Sequence, residues 1–269
     1  MAGLTPRAQP CSVGRMCGRF ALHAKPELVA EFLSAGDVTD FPPRYNIAPT
    51  QPILLAIGDE GERPNGNASG RSLQLARWGL IPSWVKDASG FPLLINARGE
   101  TAATKHSFRS AMKYRRCLVP ATEFYEWRRE GKGASQPFLF RPADRRPFAF
   151  AALMETAIGP DGGELDTAAL VTTAASGAAK TIHDRMPVTV GEPDFERWLN
   201  CRNYGVADVN DLLERSDVPD FDIVPIGPAV NKVANMGPSI QDPVERPIED
   251  RDMPGDRNET PLGDQLRLI

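Results

Sequence analysis

The strongest restriction on this chain's fold is a series of strand-like runs with too few helices between them to serve as crossovers. PILLAI (52–57), SLQLARWGLI (72–81), RCLVPA (116–121), PFLFRP (137–142), PFAFAALME (147–155) and AALVTTAA (168–175) are rich in leucine, β-branched or aromatic residues, and DIVPI (222–226) adds a short buried run. Parallel strands need long, usually helical connections. No strand–helix–strand alternation occurs here, so the pattern predicts a single-domain α+β fold of mostly antiparallel strands. The polar, Gly-rich GDEGERPNGNASGR (58–71) reads as the hairpin loop between the first two runs. Its NAS matches a glycosylation sequon, which has no role without an export signal.

Helical patterns are fewer. In KPELVAEFLSAG, Pro26 sits near the first position, Leu28, Val29, Phe32 and Leu33 share a face, and Gly36 ends the helix. Residues 101–113, 193–201 and 207–215 are the other predicted helices. No internal repeat is present.

At 269 residues the chain is long enough to bury a sizeable core, and its 41% hydrophobic and 25% charged content is that of an ordinary soluble protein. No run approaches the roughly 20 apolar residues of a membrane span. Four widely spaced cysteines (Cys11, Cys17, Cys117, Cys201) and three histidines suggest neither a disulfide framework nor a metal cluster. The expectation is a reduced, cytoplasmic protein with no metal and no cofactor.

The net charge of −4 is unevenly spread. Residues 1–15 hold two arginines and no acid, whereas 245–269 hold seven acids against four bases. The tail from about Glu245, rich in Pro, Gly and charge, is expected to be disordered, which sets 244–269 apart from the domain. An acidic balance excludes binding to DNA by bulk charge, so any nucleic-acid contact must come from a local basic groove.

A second methionine, Met16, is followed at once by Cys-Gly-Arg-Phe. The following motifs are RYNIAP (44–49), RWGLIPSW (77–84), INARGET (95–101), CLVPATEFYEW (117–127), IHDRMPV (182–188) and VNKVANMGPSI (230–240). Seven such motifs in this order resemble the SRAP family, the SOS-response-associated peptidase-like proteins that attach covalently to abasic sites in single-stranded DNA. The resemblance covers about residues 16–243. It implies a pseudo-barrel of antiparallel strands flanked by a few helices. It also implies that Met16 is the working start, that residues 1–15 are a leader or mis-assigned start, and that Cys17 becomes N-terminal. Removal of the residues before the cysteine, by self-cleavage or an aminopeptidase, accounts for the peptidase label.

An N-terminal Cys17 would hold an α-amine, partly neutral near pH 7, beside a thiol. The amine can form a Schiff base with the aldehyde of an opened abasic sugar, and the thiol can close it to a thiazolidine. Neither a lysine nor an internal cysteine offers both nucleophiles. The plain alternative for a free Cys is a small buried hydrophobe.

The resemblance implies further roles. Glu126, between aromatics, would move protons with a raised pKa, the alternative being an edge Glu paired with Arg128 or Arg129. Glu123 is a decoy three residues earlier. His183 would be a second proton-transfer group, and Asp184 or Arg185 would tune it. Asn96 would hold the sugar or the aminothiol. Arg19, Arg98 and Arg185, with Arg109 as a weaker candidate, would grip phosphates. Trp84 is expected to be exposed and to stack on or wedge beside an unpaired base, with Trp78 packed. Some relatives have a second Trp where Val85 stands here. His23 and His106 read as surface or packing residues.

The function implied is an abasic-site sensor, acting as a monomer on single-stranded or junction DNA and consumed by its own crosslink. A thiol peptidase using Cys17, His183 and Glu126 or Asn96 stays open as an alternative. So does a non-covalent single-strand-binding module, which needs the arginines and tryptophans but not Cys17.

Overall fold

Most of the strand-like runs become consecutive walls of one closed sheet. The computed structural model of the protein describes residues 17–58, 71–129, 135–214 and 220–245. The predicted leader, the tail beyond Glu245 and nearly all of the 58–71 loop lie outside the described residues. The strands are β1 (Phe20–Leu22), β2 (Arg44–Ile47), β3 (Pro52–Gly58), β4 (Arg71–Trp78), β5 (Asn96–Arg98), β6 (Arg116–Ala121) and β7 (Glu123–Arg129). They continue with β8 (Ser135–Pro142), β9 (Phe148–Ile158), β10 (Glu164–Ala174), β11 (Arg185–Pro187), β12 (Thr189–Val190) and β13 (Phe221–Pro225).

β3 pairs with β4 across the predicted hairpin, from Pro52↔Arg77 to Gly58↔Arg71. β3 also pairs with β6, β6 with β9, and β9 with β10, all antiparallel. A parallel contact of β10 with β4, Thr167↔Arg77, closes these five strands into a barrel. The antiparallel expectation therefore holds except at β10, which also takes β5 in parallel, Leu170↔Asn96. Alanines 149, 151, 152, 168 and 169 are fully buried, and such small side chains suit the tight interior of a five-stranded barrel. Residues 148–154 are buried without alternation, as the continuous apolar run FAFAALM requires of a strand covered on both faces.

A second sheet, in the order β13-β8-β7-β1-β2, packs on the barrel wall. Phe124 joins them, its ring centroid 6.0 Å from that of Phe150, while Phe20 meets Phe150 at 5.8 Å. The other face of this sheet buries Ala21, Tyr125, Leu139 and Ile226 with Val230 and Ile240, so the VNKVANMGPSI motif covers that face. β13 is only partly buried, because it is an edge strand rather than the buried one predicted.

The helices are α1 (Pro26–Leu33), α2 (Gly99–Ala102), α3 (Arg109–Tyr114), α4 (Phe195–Leu199) and α5 (Asn210–Glu214). α1 ends earlier than predicted, at Ser34, whose φ of 50° and amide bonds to Ala30 and Glu31 carbonyls make the turn before Gly36 is reached. It buries Val29, Ala30 and Leu33, and Leu28 points outward, 51% exposed. The predicted 101–113 helix is two short helices separated by a turn. No described helix is long and apolar enough to cross a membrane.

Gly79 sits where β4 leaves the barrel, between buried Trp78 and exposed Trp84. Its φ of +130° is a conformation that side-chain-bearing residues rarely adopt. Gly79→Ala should reduce unfolding free energy by about 1–3 kcal/mol, measured by urea denaturation. An unchanged midpoint would show that the turn relaxes. The nearest obstacle to the new Cβ, Leu93 Cδ1, is the tip of an exposed side chain, so the backbone angle dominates.

Candidate functional site

Cys17 lies three residues before β1, on the barrel side of the second sheet. β1 pairs antiparallel with β7, Phe20↔Phe124 and Ala21↔Glu123, and continuing that register sets Gly18 opposite Glu126. Asn96, at the start of β5, donates from Nδ2 to the Cys17 carbonyl at 2.8 Å. The barrel strand β10 positions Asn96 through its pairing with Leu170. Residues from β5, from β7 and from the segment leading into β1 thus meet at one buried point.

Cys17 is fully buried. Burial pushes its thiol well above the ordinary range, the charge of Glu126 pushes it further, and a backbone hydrogen bond from Arg19 offsets part of this. Glu126 is 3% exposed. Burial raises its carboxyl well above the ordinary range, the Trp127 amide partly counters that, and the charge of Asp184 adds to it. Both groups are therefore held in their neutral forms. Among the described residues, Glu126 Oε1 and Asn96 Oδ1 are buried with no hydrogen-bond partner. Unpaired buried polar atoms are rare and costly, by about 1–3 kcal/mol each, unless something else satisfies them. Glu126 does not pair with Arg128 or Arg129.

Glu123 shows the opposite behaviour, three residues away on the same strand. An odd spacing turns it to the other face. Burial raises its pKa, but His23, Thr122 and Arg141 outweigh that and hold the carboxyl below its usual range. His23 Nε2 is 2.9 Å from Glu123 Oε2, and its ring stacks on Tyr45. Glu123 is therefore anchored by His23 and Arg141 on that face.

His183 stands on the connection between β10 and β11, where its amide bonds to the Ala179 carbonyl. Its Nδ1 lies 3.0 Å from the Arg185 amide nitrogen, 3.1 Å from the Arg185 carbonyl oxygen and 3.2 Å from Asp184 Oδ1, so this nitrogen is engaged within its own loop and Nε2 is the ring nitrogen left to meet another group. The same connection carries Asp184, whose charge reaches Glu126, and this ties His183's loop to the pocket.

The expected phosphate-gripping arginines fall in different surroundings. Arg98 and Arg109 are exposed, with no carboxylate within ion-pair distance among the described residues. Arg185 is two-pronged on Glu100 and also donates to the Thr172 carbonyl at 2.6 Å. Arg19 is buried, its NH1 donating to Asn46 Oδ1 and to the Val230 carbonyl. Neither Glu100 nor Thr172 was singled out from sequence, because nothing in INARGET or AALVTTAA says which arginine they will hold. Trp84 is 50% exposed and Trp78 fully buried, as expected, with Trp78 Nε1 bonded to the Ile95 carbonyl. The Trp84 ring rests against Phe91 and His106, so His106 belongs to this exposed aromatic cluster. Val85 is buried beside it.

The family model for SOS response associated peptidase (SRAP) matches residues 16–233. The chain belongs to the SRAP family. Among SRAP relatives, the abasic site processing protein YoqW of Bacillus subtilis is 36% identical over 231 residues, covering 84% of this chain and 98% of that one. The abasic site processing protein YedK of Escherichia coli is 33% identical over 238 residues, covering 85% of this chain and all of YedK. The SRAP chain also resembles a solved Bacteroides thetaiotaomicron protein with a TM-score of 0.73, 24% identity and coverage of 85% and 100% of the two chains, which speaks to the fold alone. The SRAP match begins at Met16, and Cys17, Asn96, Glu126 and His183 all lie within it.

Proposed function

We propose that this SRAP protein processes abasic sites in DNA by covalent capture on Cys17, after the residues preceding Cys17 are removed. The observation that carries the reading is the pair of unsatisfied buried atoms, Glu126 Oε1 and Asn96 Oδ1, on the two residues coupled to Cys17. A sugar hydroxyl would satisfy both, donating to Asn96 Oδ1 and accepting from the protonated Glu126 carboxyl, whereas an aldehyde oxygen could accept from Glu126 alone. The names of the relatives give the substrate class, and the chemistry of an N-terminal cysteine gives the reaction.

The Cys17 amine adds to C1′ of the ring-opened deoxyribose to form a carbinolamine. The protonated Glu126 carboxyl gives its proton to the hydroxyl, which leaves as water, and an iminium remains. Cys17 Sγ then bonds to C1′, its proton returns to the Glu126 carboxylate, and a five-membered thiazolidine closes. Glu126 ends as it began. Asn96, already on the Cys17 carbonyl, holds the aminothiol in place, and its free Oδ1 accepts from the sugar. His183 acts as the second proton-transfer group through Nε2. Trp84 holds the neighbouring unpaired base, with Arg98 and Arg109 on phosphates. Arg185, held by Glu100 and the Thr172 carbonyl, and Arg19, held by Asn46 and the Val230 carbonyl, reach phosphate only by giving up those bonds. The protein works as a monomer on single-stranded or junction DNA.

A thiol peptidase requires a thiolate beside an imidazole. Burial and Glu126 drive the Cys17 thiol the other way, so the crosslinking reading is preferred.

Intact mass tests the proposal. Protein purified from its native host should begin at Cys17, and with an oligonucleotide carrying one abasic site it should give a product of protein plus DNA minus one water. A retained Met1 or Ala2 would overturn the processing step, and an adduct seen only after borohydride would overturn the thiazolidine.

A further inference from the structure

Between Asn96 and Cys117 the chain carries six lysines and arginines against one acid, Glu100. Three of these charged groups are already used, since Arg115 pairs with Glu155, Arg116 is buried on backbone carbonyls, and Glu100 holds Arg185. What is left exposed after Arg98 is Lys105, Arg109 and Lys113. The Arg109 amide bonds to the Lys105 carbonyl at 2.9 Å, which ties Lys105, in the turn before α3, to the first residue of the helix. Arg109 and Lys113 therefore stand at i and i+4 on α3, neighbours on one ridge, and Lys105 precedes them in the turn that leads into the helix. None has a carboxylate partner among the described residues. Several arginines elsewhere on the surface are neutralised, as Arg145 is by Asp222, Arg146 by Glu192 and Arg197 by Asp211.

The ridge has a defined beginning and end. At its start His106, next to Lys105, lies 4.9 Å from exposed Trp84. At its end Lys113 Nζ sits 4.9 Å from the centroid of Tyr114, a ring 53% exposed. Both border a hollow of about 760 Å³ that is also lined by Arg202, Cys201 and Val206. Cations interleaved with aromatic rings are the pattern by which proteins hold a single strand without reading its sequence.

We propose that the Lys105–Arg109–Lys113 ridge and the hollow at Tyr114 and Arg202 carry the DNA strand beyond the lesion. Phosphates lie on the three cations, and an unpaired base several nucleotides away lies in the hollow against Tyr114. This rests on the reading of the protein as a DNA-lesion binder and extends its footprint well past the nucleotide beside Trp84.

The test uses Cys17→Ala protein, so that covalent capture contributes nothing, and measures affinity for single strands with one abasic site and flanks lengthened one nucleotide at a time on either side. Affinity should climb stepwise with length on one side only. Lys105→Gln/Lys113→Gln/Arg202→Gln should lose about tenfold or more for the long strand at low salt. Its log affinity against log salt should flatten by about 0.7 for each phosphate that the variant no longer neutralises. Tyr114→Ala should weaken the long strand several-fold, and Arg145→Gln/Arg146→Gln should match the parent. Equal affinity for short and long flanks would overturn the proposal, as would a triple variant binding like its parent or a gain that appears only when the flank is duplex. Failure of the chemistry reads separately: protein with Cys17 intact would then give no adduct even on a short strand, while the length-dependent binding of the ridge persisted.

Discussion

Cys17→Ala should reduce the borohydride-independent adduct to background, the largest effect expected of any single substitution in this protein. Alanine leaves an α-amine at the same position, so an imine can still form, but nothing closes on C1′. An imine hydrolyses readily, whereas the thiazolidine holds the carbon through both N and S. Cys17→Ser should behave as an intermediate case, because a hydroxyl is a weaker nucleophile toward an iminium. Its product should appear mainly after reductive trapping on denaturing gels. Acetylating the amine should abolish both products, since no imine forms to receive the thiol. Cys17 is packed in the apolar core and small, so Ala removes little volume, and thermal unfolding of the variant should stay close to the parent. A stable adduct undiminished in Cys17→Ala would assign the chemistry to another nucleophile, such as a lysine.

The strands were legible in sequence wherever a run was long and apolar, as RCLVPA shows, which begins and ends where β6 does. Short strands were missed. β5 has three residues and is a strand only because β10 offers it a parallel edge, a fact no local pattern contains. The division of RWGLIPSW into a buried and an exposed tryptophan was anticipated, but the predicted strand ran on to Ile81, whereas β4 ends at Trp78 and Gly79 turns the chain. Among the charged candidates, sequence could not sort their surroundings. Arg98 and Arg185 both look like free cations in the chain, yet Arg185 is folded back on Glu100, 85 residues away. The contrast between Glu123 and Glu126 was half visible. A spacing of three on a strand guarantees opposite faces. It does not say which face is dry, and that depends on His23, Arg141 and Gln241 gathering around Glu123.

That dry face leads to the second large effect. Glu126→Gln should slow adduct formation by about 10²–10⁴-fold, the usual contribution of a positioned proton donor. The amide keeps the shape and can still hydrogen-bond, but it has no proton to give to the departing hydroxyl. The same substitution should stabilise the fold, and the direction follows from proton counts. In the unfolded chain a glutamate loses its proton at about pH 4.3. In the folded protein burial, reinforced by Asp184, keeps the Glu126 proton on to much higher pH. Between those two points the native state binds one more proton than the unfolded state, so stability falls as pH rises, by at most about 1.4 kcal/mol per pH unit. The amide that replaces the carboxyl does not titrate and has no such dependence. Urea denaturation from pH 5 upward should therefore show the variant gaining on the parent as pH increases, while its crosslinking rate stays low throughout. A site that gives up stability to keep one carboxyl neutral is the expected signature of a proton donor. A variant that crosslinks at the parental rate, or whose stability advantage does not grow with pH, would leave Glu126 as a packing residue and move the proton transfer to His183.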